Sequence, residues 1–123
     1  MHTITVSCSL RFVNLVRRAI ADCKELSIEA KFPNLEPIPS DRPITIETMR
    51  GLQEDHFRAI RESEALYVID PDGYIGTLVK VEIGYAKGAG KPVYFSEPTG
   101  SPDLDALANG YVSRDDLRRF LTL

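Results

Sequence analysis

The chain has 123 residues, 43% of them hydrophobic and 27% charged, and a formal net charge of −3. That is the size of one domain (residues 1–123) with one hydrophobic core, and the composition of an ordinary globular protein, not a disordered or fibrous one. The longest basic cluster is Arg17-Arg18, which excludes the broad positive footprint of a nucleic-acid-polymer binder but not a small phosphorylated ligand, for which one or two cations suffice.

No apolar run approaches the ~18 residues of a membrane span, so no membrane partner is expected. The opening Met1-His2-Thr3-Ile4-Thr5-Val6 lacks the charged and apolar regions of a signal peptide. Cys8 and Cys23 form no CxxC pair and no histidine cluster accompanies them. They read as buried free thiols of a reducing compartment, which makes the cytoplasm the expected location and gives no reason to expect a metal. Neither GxGxxG nor GxxxxGK[ST] occurs, so no dinucleotide or triphosphate cofactor is expected by those routes.

Ile4, Val6 and Cys8 alternate with Thr5 and Ser7, which predicts a strand over about residues 2–8. From Leu10 the period changes: Leu10, Val13, Val16, Ile20 and Cys23 mark one face of a helix over about residues 10–25. Ile28, Ala30 and Phe32 alternate as a short second strand. Pro33, Pro37, Pro39 and Pro43 then forbid regular structure, and a loop of that length suits a lid or a subunit contact. Thr45 or Thr48 can cap a second helix that carries Met49, Leu52, His56, Phe57 and Ile60 on one side.

Ala65 to Ile69 is a continuous apolar run, the mark of a strand covered on both faces. Asp70-Pro71-Asp72-Gly73-Tyr74-Ile75-Gly76 ends it. A third helix is expected from about Thr77 to Ala89 with Gly90 at its C-terminal end, and Lys91 to Phe95 is a fourth strand. Ser113 and Asp116 resemble a capping box before a last helix with Leu117, Phe120 and Leu121 inward. Strands alternating with helices imply right-handed crossovers. The fold class is therefore α/β, a flavodoxin-like or Rossmann-like three-layer sandwich on a parallel sheet of four to five strands. Ligands in such sheets bind beyond the carboxyl ends of the strands, so the loops Cys8–Arg11 and Asp70–Gly76 should be neighbours.

Chemistry is expected first at Glu82. The inward stripe of the third helix reads Leu78, Val79, Glu82, Ile83 and Ala86, and no Lys or Arg stands three or four residues from the carboxylate. Burying an unpaired carboxylate costs several kcal/mol unless a pocket needs the charge. The bland alternative is a Glu82 at the edge of the stripe, reaching water. Asp70 and Asp72 are either turn residues or partners in the chemistry, since carboxylate pairs are the working parts of glycosidic-bond cleavage. Ser7, Ser9 and Arg11 lie where a strand meets a helix and fit a single phosphate or carboxylate, or else a plain helix cap with a solvated arginine. His56, on the apolar side of its helix, is a core histidine or a proton carrier.

The stretch Ser63 to Gly76, then Val81-Glu82-Ile83-Gly84-Tyr85-Ala86, then Gly90-Lys91-Pro92-Val93, resembles the nucleoside 2-deoxyribosyltransferase superfamily. There a strand and loop precede a helix bearing Glu-[Ile/Leu]-Gly-x-Ala, whose glutamate attacks the sugar C1′; Glu82 matches it. Ser9-Leu10-Arg11 is similar to the Ser-x-Arg that helps bind phosphate in the branch hydrolysing deoxynucleoside 5′-monophosphates. The chain departs from the family in several places. Thr5 stands where a first-strand tyrosine is common, Cys8 where a glycine usually precedes the Ser-x-Arg serine, and His56 where an aspartate is common in the second helix.

The resemblance implies a double displacement at an N-glycosidic bond of a nucleoside or nucleotide, through a covalent glycosyl-Glu82 intermediate. Asp70, Asp72 or His56 would supply the proton for the leaving base. Gly73 and Gly76 would let the backbone approach the sugar, and Tyr74 would stack on a base or close the pocket. It also implies a homodimer or larger homo-oligomer. The alternative reading is a non-catalytic nucleotide-binding or sensor domain of the same fold. A response-regulator-like module is a distant third, because Lys91 begins its strand and no acidic pair closes the first one.

Overall fold

A computed structural model describes residues 1–33 and 44–123; the proline-rich segment 34–43, expected to be a lid or a subunit contact, lies outside them. In chain order the elements are β1 (Thr3–Cys8), α1 (Val13–Glu25), β2 (Glu29–Lys31), α2 (Ile46–Glu62), β3 (Ala65–Ile69), α3 (Thr77–Gly88), β4 (Val93–Phe95), α4 (Pro102–Asp105), β5 (Gly110–Tyr111) and α5 (Leu117–Leu121). Single 3₁₀ turns at Leu10–Phe12, Pro71–Gly73 and Arg114–Asp116 join some of them. The five strands are all parallel, in the order β2-β1-β3-β4-β5.

This is the doubly wound order in which the chain turns back between β1 and β3, and the crevice at their carboxyl ends is where such sheets bind ligands. Ile4, Val6 and Cys8 of β1, with Tyr67 and Ile69 of β3, pack against Val16, Ala19 and Cys23 of α1 and against Leu117 and Leu121 of α5. Leu66 and Val68 of β3, with Val93 and Phe95 of β4, pack on the other face against Ile60 of α2 and Val79, Ile83 and Ala86 of α3. The result is a three-layer α/β sandwich, as the alternation of elements implies. Both cysteines are free and buried, and among the described residues no helix is long and apolar enough to cross a membrane.

The polar residues of β1 are as deeply placed as the apolar ones, because helices cover both faces of a parallel sheet. Thr5 and Ser7 are fully buried, and a buried hydroxyl needs a partner. The Thr5 hydroxyl meets the Ser63 hydroxyl at 2.7 Å, and Ser63 in turn donates to the Ala59 carbonyl. Of the two threonines able to cap α2, Thr45 does so, its Oγ1 accepting from the Thr48 amide at 3.1 Å. Ser113 likewise accepts from the Asp116 amide, although the turn it caps is 3₁₀ before it becomes α5.

Several boundaries differ from expectation for local reasons. The first helix opens as a 3₁₀ turn over Leu10–Phe12, with no buried residue in it. The fourth strand starts at Val93 because Pro92 has no amide to donate, although its carbonyl still accepts from the Leu66 amide. Two elements were not expected. The short α4 starts at Pro102, and β5 is two residues long, too short for any period to show. Leu78, expected in the inward stripe of α3, is 41% exposed.

Candidate functional site

Glu82 stands on α3 and is 8% exposed. Its two oxygens are engaged differently. The hydroxyl of Ser7, from β1, donates to Oε2. Oε1 lies 3.2 Å from Nδ1 of His56, from α2, but Nδ1 lacks the alignment of a hydrogen bond and is a buried ring nitrogen without a partner. No lysine or arginine among the described residues pairs with Glu82. Burial therefore pushes its carboxyl up to about 7, opposed by the Ser7 hydrogen bond. His56 is 6% exposed, with its ring edge-on to Phe32 at 5.6 Å. Desolvation lowers its pKa, against a smaller opposing pull from Asp55.

Three elements thus meet at one carboxylate, and they do so beside a cavity of about 320 Å³. The cavity opens at the carboxyl ends of β1 and β3, where doubly wound sheets place their ligands. Its wall is largely apolar, with Phe32, Met49 and Leu52 among its members, and Gln53 and Thr77 add neutral polar groups. Among the described residues, the titratable side chains of the wall are Cys8, His56 and Glu82. The Cys8 thiol is pushed up to about 12, mainly by burial, so it stays protonated at neutral pH.

The structure divides the site residues read from the sequence. Glu82, His56, Ser9 and Gly76 line the cavity. Ser7 lies behind it, fully buried, and its hydroxyl serves Glu82. Arg11 is exposed, its guanidinium 4.7 Å from the centre of the Tyr74 ring. That contact does bring the loops after β1 and β3 together, as expected. Asp70 is fully buried at the end of β3, where Oδ1 accepts from the Ser96 hydroxyl at 2.8 Å and the Glu97 amide at 3.0 Å. Its other oxygen has no partner, and desolvation raises the carboxyl to about 6 despite those two hydrogen bonds.

Asp72 is exposed, with φ at 56°, a left-handed turn position that aspartate tolerates better than most residues. Gly73 has φ at 75°, and a Cβ there would stand 2.9 Å from the Thr99 carbonyl oxygen, so its backbone is closed against a neighbouring loop. Neither Asp70, Asp72, Gly73 nor Tyr74 lines the cavity beside Glu82. Gln53 and Thr77 were missed by sequence reasoning. Gln53 carried a signal, because it lies three residues before His56 on the same helical face; Thr77 carried only its place at the start of α3.

The fold defines a class, the three-layer α/β sandwiches on a parallel sheet, and the cavity lies at the edge where such sheets place their ligands. Comparison with solved structures narrows this. The chain is similar to a CMP N-glycosidase, BcmB, from Clostridium botulinum (TM-score 0.66, 14% identity, 98% of this chain and 97% of that one). It is similar also to a 2-deoxyribosyltransferase from Bacillus psychrosaccharolyticus (TM-score 0.70, 19% identity, 98% and 94%) and to a conserved protein from Enterococcus faecalis V583 (TM-score 0.59, 17% identity, 98% and 99%). No protein-family model and no curated protein matches the chain. The likeness is one of fold: over nearly its whole length the chain shares the architecture of these three structures.

Proposed function

We propose that the chain cleaves or transfers at the N-glycosidic bond of a nucleoside or nucleoside 5′-monophosphate, with Glu82 as nucleophile. One observation carries this reading: a buried carboxyl group with no lysine or arginine partner among the described residues forms part of the wall of a cavity large enough for a small ligand. Such a group is costly to the fold and is the group that glycosidic chemistry uses. Fold neighbours that are an N-glycosidase and a deoxyribosyltransferase by name favour the same chemistry.

In the proposed reaction a Glu82 oxygen bonds to C1′ as the C1′–N bond breaks, giving a glycosyl ester. The departing base takes a proton from water in the open cavity, because Asp70 and Asp72 stand outside its wall. In the second step water, or the nitrogen of a second base, attacks C1′ and frees the carboxylate. The attacking group loses its proton to solvent. The apolar wall would hold the base, and Arg11, which is exposed and lies two residues beyond the wall residue Ser9 without lining the cavity itself, would be the cation for a 5′-phosphate.

To test the reading, the protein is incubated with deoxynucleosides and their 5′-monophosphates and free base is followed by chromatography. Release that disappears in Glu82→Ala is the expected result. Equal release from that variant would remove Glu82 from the chemistry, and no release from any substrate would leave the non-catalytic binding domain as the better reading.

A further inference from the structure

We propose that His56 is a positioning residue for Glu82: its Nδ1 takes the carboxyl proton from Oε1 while Ser7 holds Oε2, so that the nucleophile meets the sugar as a carboxylate. This rests on the reading of Glu82 given above and names the group that prepares it. Three observations support it. Nδ1 is 3.2 Å from Oε1. Among the described residues it has no hydrogen-bond partner, although it is buried, and Oε1 is the carboxylate oxygen beside it. Phe32, edge-on at 5.6 Å, limits the ring's orientation.

Geometry also separates this role from that of an acid acting on the leaving base. In a double displacement the nucleophile and the leaving group stand on opposite faces of the anomeric carbon, and retaining enzymes keep their two working groups ~5 Å apart for that reason. A ring in contact with the nucleophilic carboxylate is on the attacking face. Its proton serves Glu82 and does not follow the base.

The proton balance is simple. With one proton on the pair, shared between Oε1 and Nδ1, burial disfavours the charged form of either group taken alone. Transfer from Oε1 to Nδ1 gives carboxylate and imidazolium side by side, and each then offsets the burial cost of the other. When the ester forms the carboxylate charge is gone, so the imidazolium passes its proton to solvent, and Nδ1 regains one when hydrolysis frees the carboxylate. The base gains its proton from water, and the attacking water returns one to solvent.

Among the described residues, the titratable and charged groups of the elements packed around the pair are placed as follows. From β1, Ser7 donates to Glu82 and Cys8 remains a thiol. From α2, Asp55 is exposed beside His56, and Arg61 donates to the Tyr85 hydroxyl of α3 at 2.7 Å. At the end of β3, Asp70 is bound to Ser96 and Glu97. Lys80 and Lys87 of α3 are exposed.

The test begins with the whole protein labelled with ¹⁵N-histidine, followed by NMR across pH in wild type and in Glu82→Gln. Coupled groups titrate as a pair, so loss of the carboxylate should move the His56 transition down by about 1 pH unit or more. A shift of less than about 0.3 unit would overturn the proposal. Kinetics give a second readout. In His56→Leu the ascending limb of kcat/KM for base release should move to higher pH, with a loss of about tenfold or more at pH 7. His56→Asn, which keeps a polar group near the position of Nδ1, should recover part of that loss.

An unmoved limb in both variants would also overturn the role. Should no base be released from any substrate, the glycosidic reading fails, while the NMR coupling still decides whether His56 and Glu82 share a proton. A coupled transition then supports the pairing, and an uncoupled one removes it.

Discussion

Ser7 and Glu82 stand 75 positions apart in the chain and meet through a single hydrogen bond inside the layer between sheet and helix. The bond ties the nucleophile candidate to the rigid centre of the sheet, since Ser7 lies on the strand that pairs with both β2 and β3. It also favours the charged form of Glu82 against the burial that disfavours it.

Ser7→Ala removes that donor. A hydrogen bond to a charged group contributes ~1.5–3 kcal/mol, and one pKa unit corresponds to ~1.4 kcal/mol. The Glu82 carboxyl should therefore rise further, and the ascending limb of a kcat/KM profile for base release should move up by about 1–2 pH units. A profile that overlays the wild type would show that Ser7 has no part in setting the charge.

Stability should carry the same signature with a definite sign. Burial holds the folded carboxyl of Glu82 at about 7 against an ordinary 4.5. Between those values the folded chain keeps a proton that the unfolded chain has released, so stability falls as pH rises through that window. The full cost, reached above pH 7, is about 3 kcal/mol. His56 has the opposite slope. Its folded pKa is lowered from 6.5, so below that pH the unfolded chain takes a proton first and stability is lost as pH falls. Glu82→Gln should match wild type near pH 4 and exceed it by about 3 kcal/mol at pH 8, measured by urea denaturation. A difference that does not vary with pH would contradict the burial account.

The burial of Glu82 was suggested by its place in an apolar stripe with no cation at helical spacing, although spacing alone left a side chain reaching water open. Ser7 was a candidate from its place at the end of β1, but not as the partner of Glu82. Alternation along β1 separates Ser7 from Ile4, Val6 and Cys8 without saying that a helix covers its face too. The left-handed backbone of Asp72 follows from ordinary turn chemistry, whereas the turn of Asp70 toward Ser96 depends on the register between β3 and β4, 26 residues on, which no local pattern records. The same holds for β5, whose two residues exist as a strand only through their pairing with β4.

Asp70 provides a contrast with Glu82. Both are buried carboxyls with raised pKa values, but Asp70 accepts from the Ser96 hydroxyl and the Glu97 amide, outside the cavity wall. Asp70→Ala should cost about 1–3 kcal/mol at pH 5 by leaving those donors unpaired. It should also remove the fall in stability that accompanies ionisation between pH 3.8 and about 6. Base release should change less than tenfold, against about a hundredfold or more for Glu82→Ala. Comparable losses in the two variants, with both still folded by circular dichroism, would place Asp70 in the chemistry.

The glycines around the site separate strain from tolerance. Gly73 combines φ at 75° with a close approach to the Thr99 carbonyl, where a Cβ would stand at 2.9 Å. Both the backbone conformation and the contact oppose any side chain, and the contact is with backbone that cannot swing aside. Gly73→Ala should therefore destabilise the fold by about 2–3 kcal/mol. Gly84, two residues beyond Glu82 on the same helix, is exposed, and a Cβ there would meet nothing within 4 Å. Gly84→Ala should stabilise α3 by about 0.5–1 kcal/mol, the helical preference of alanine over glycine. Chemical denaturation of the two variants beside wild type measures both signs. A destabilised Gly84→Ala would mean that the outer face of α3 is packed against something in solution, and sedimentation at several concentrations would then show whether it is a second copy of this chain.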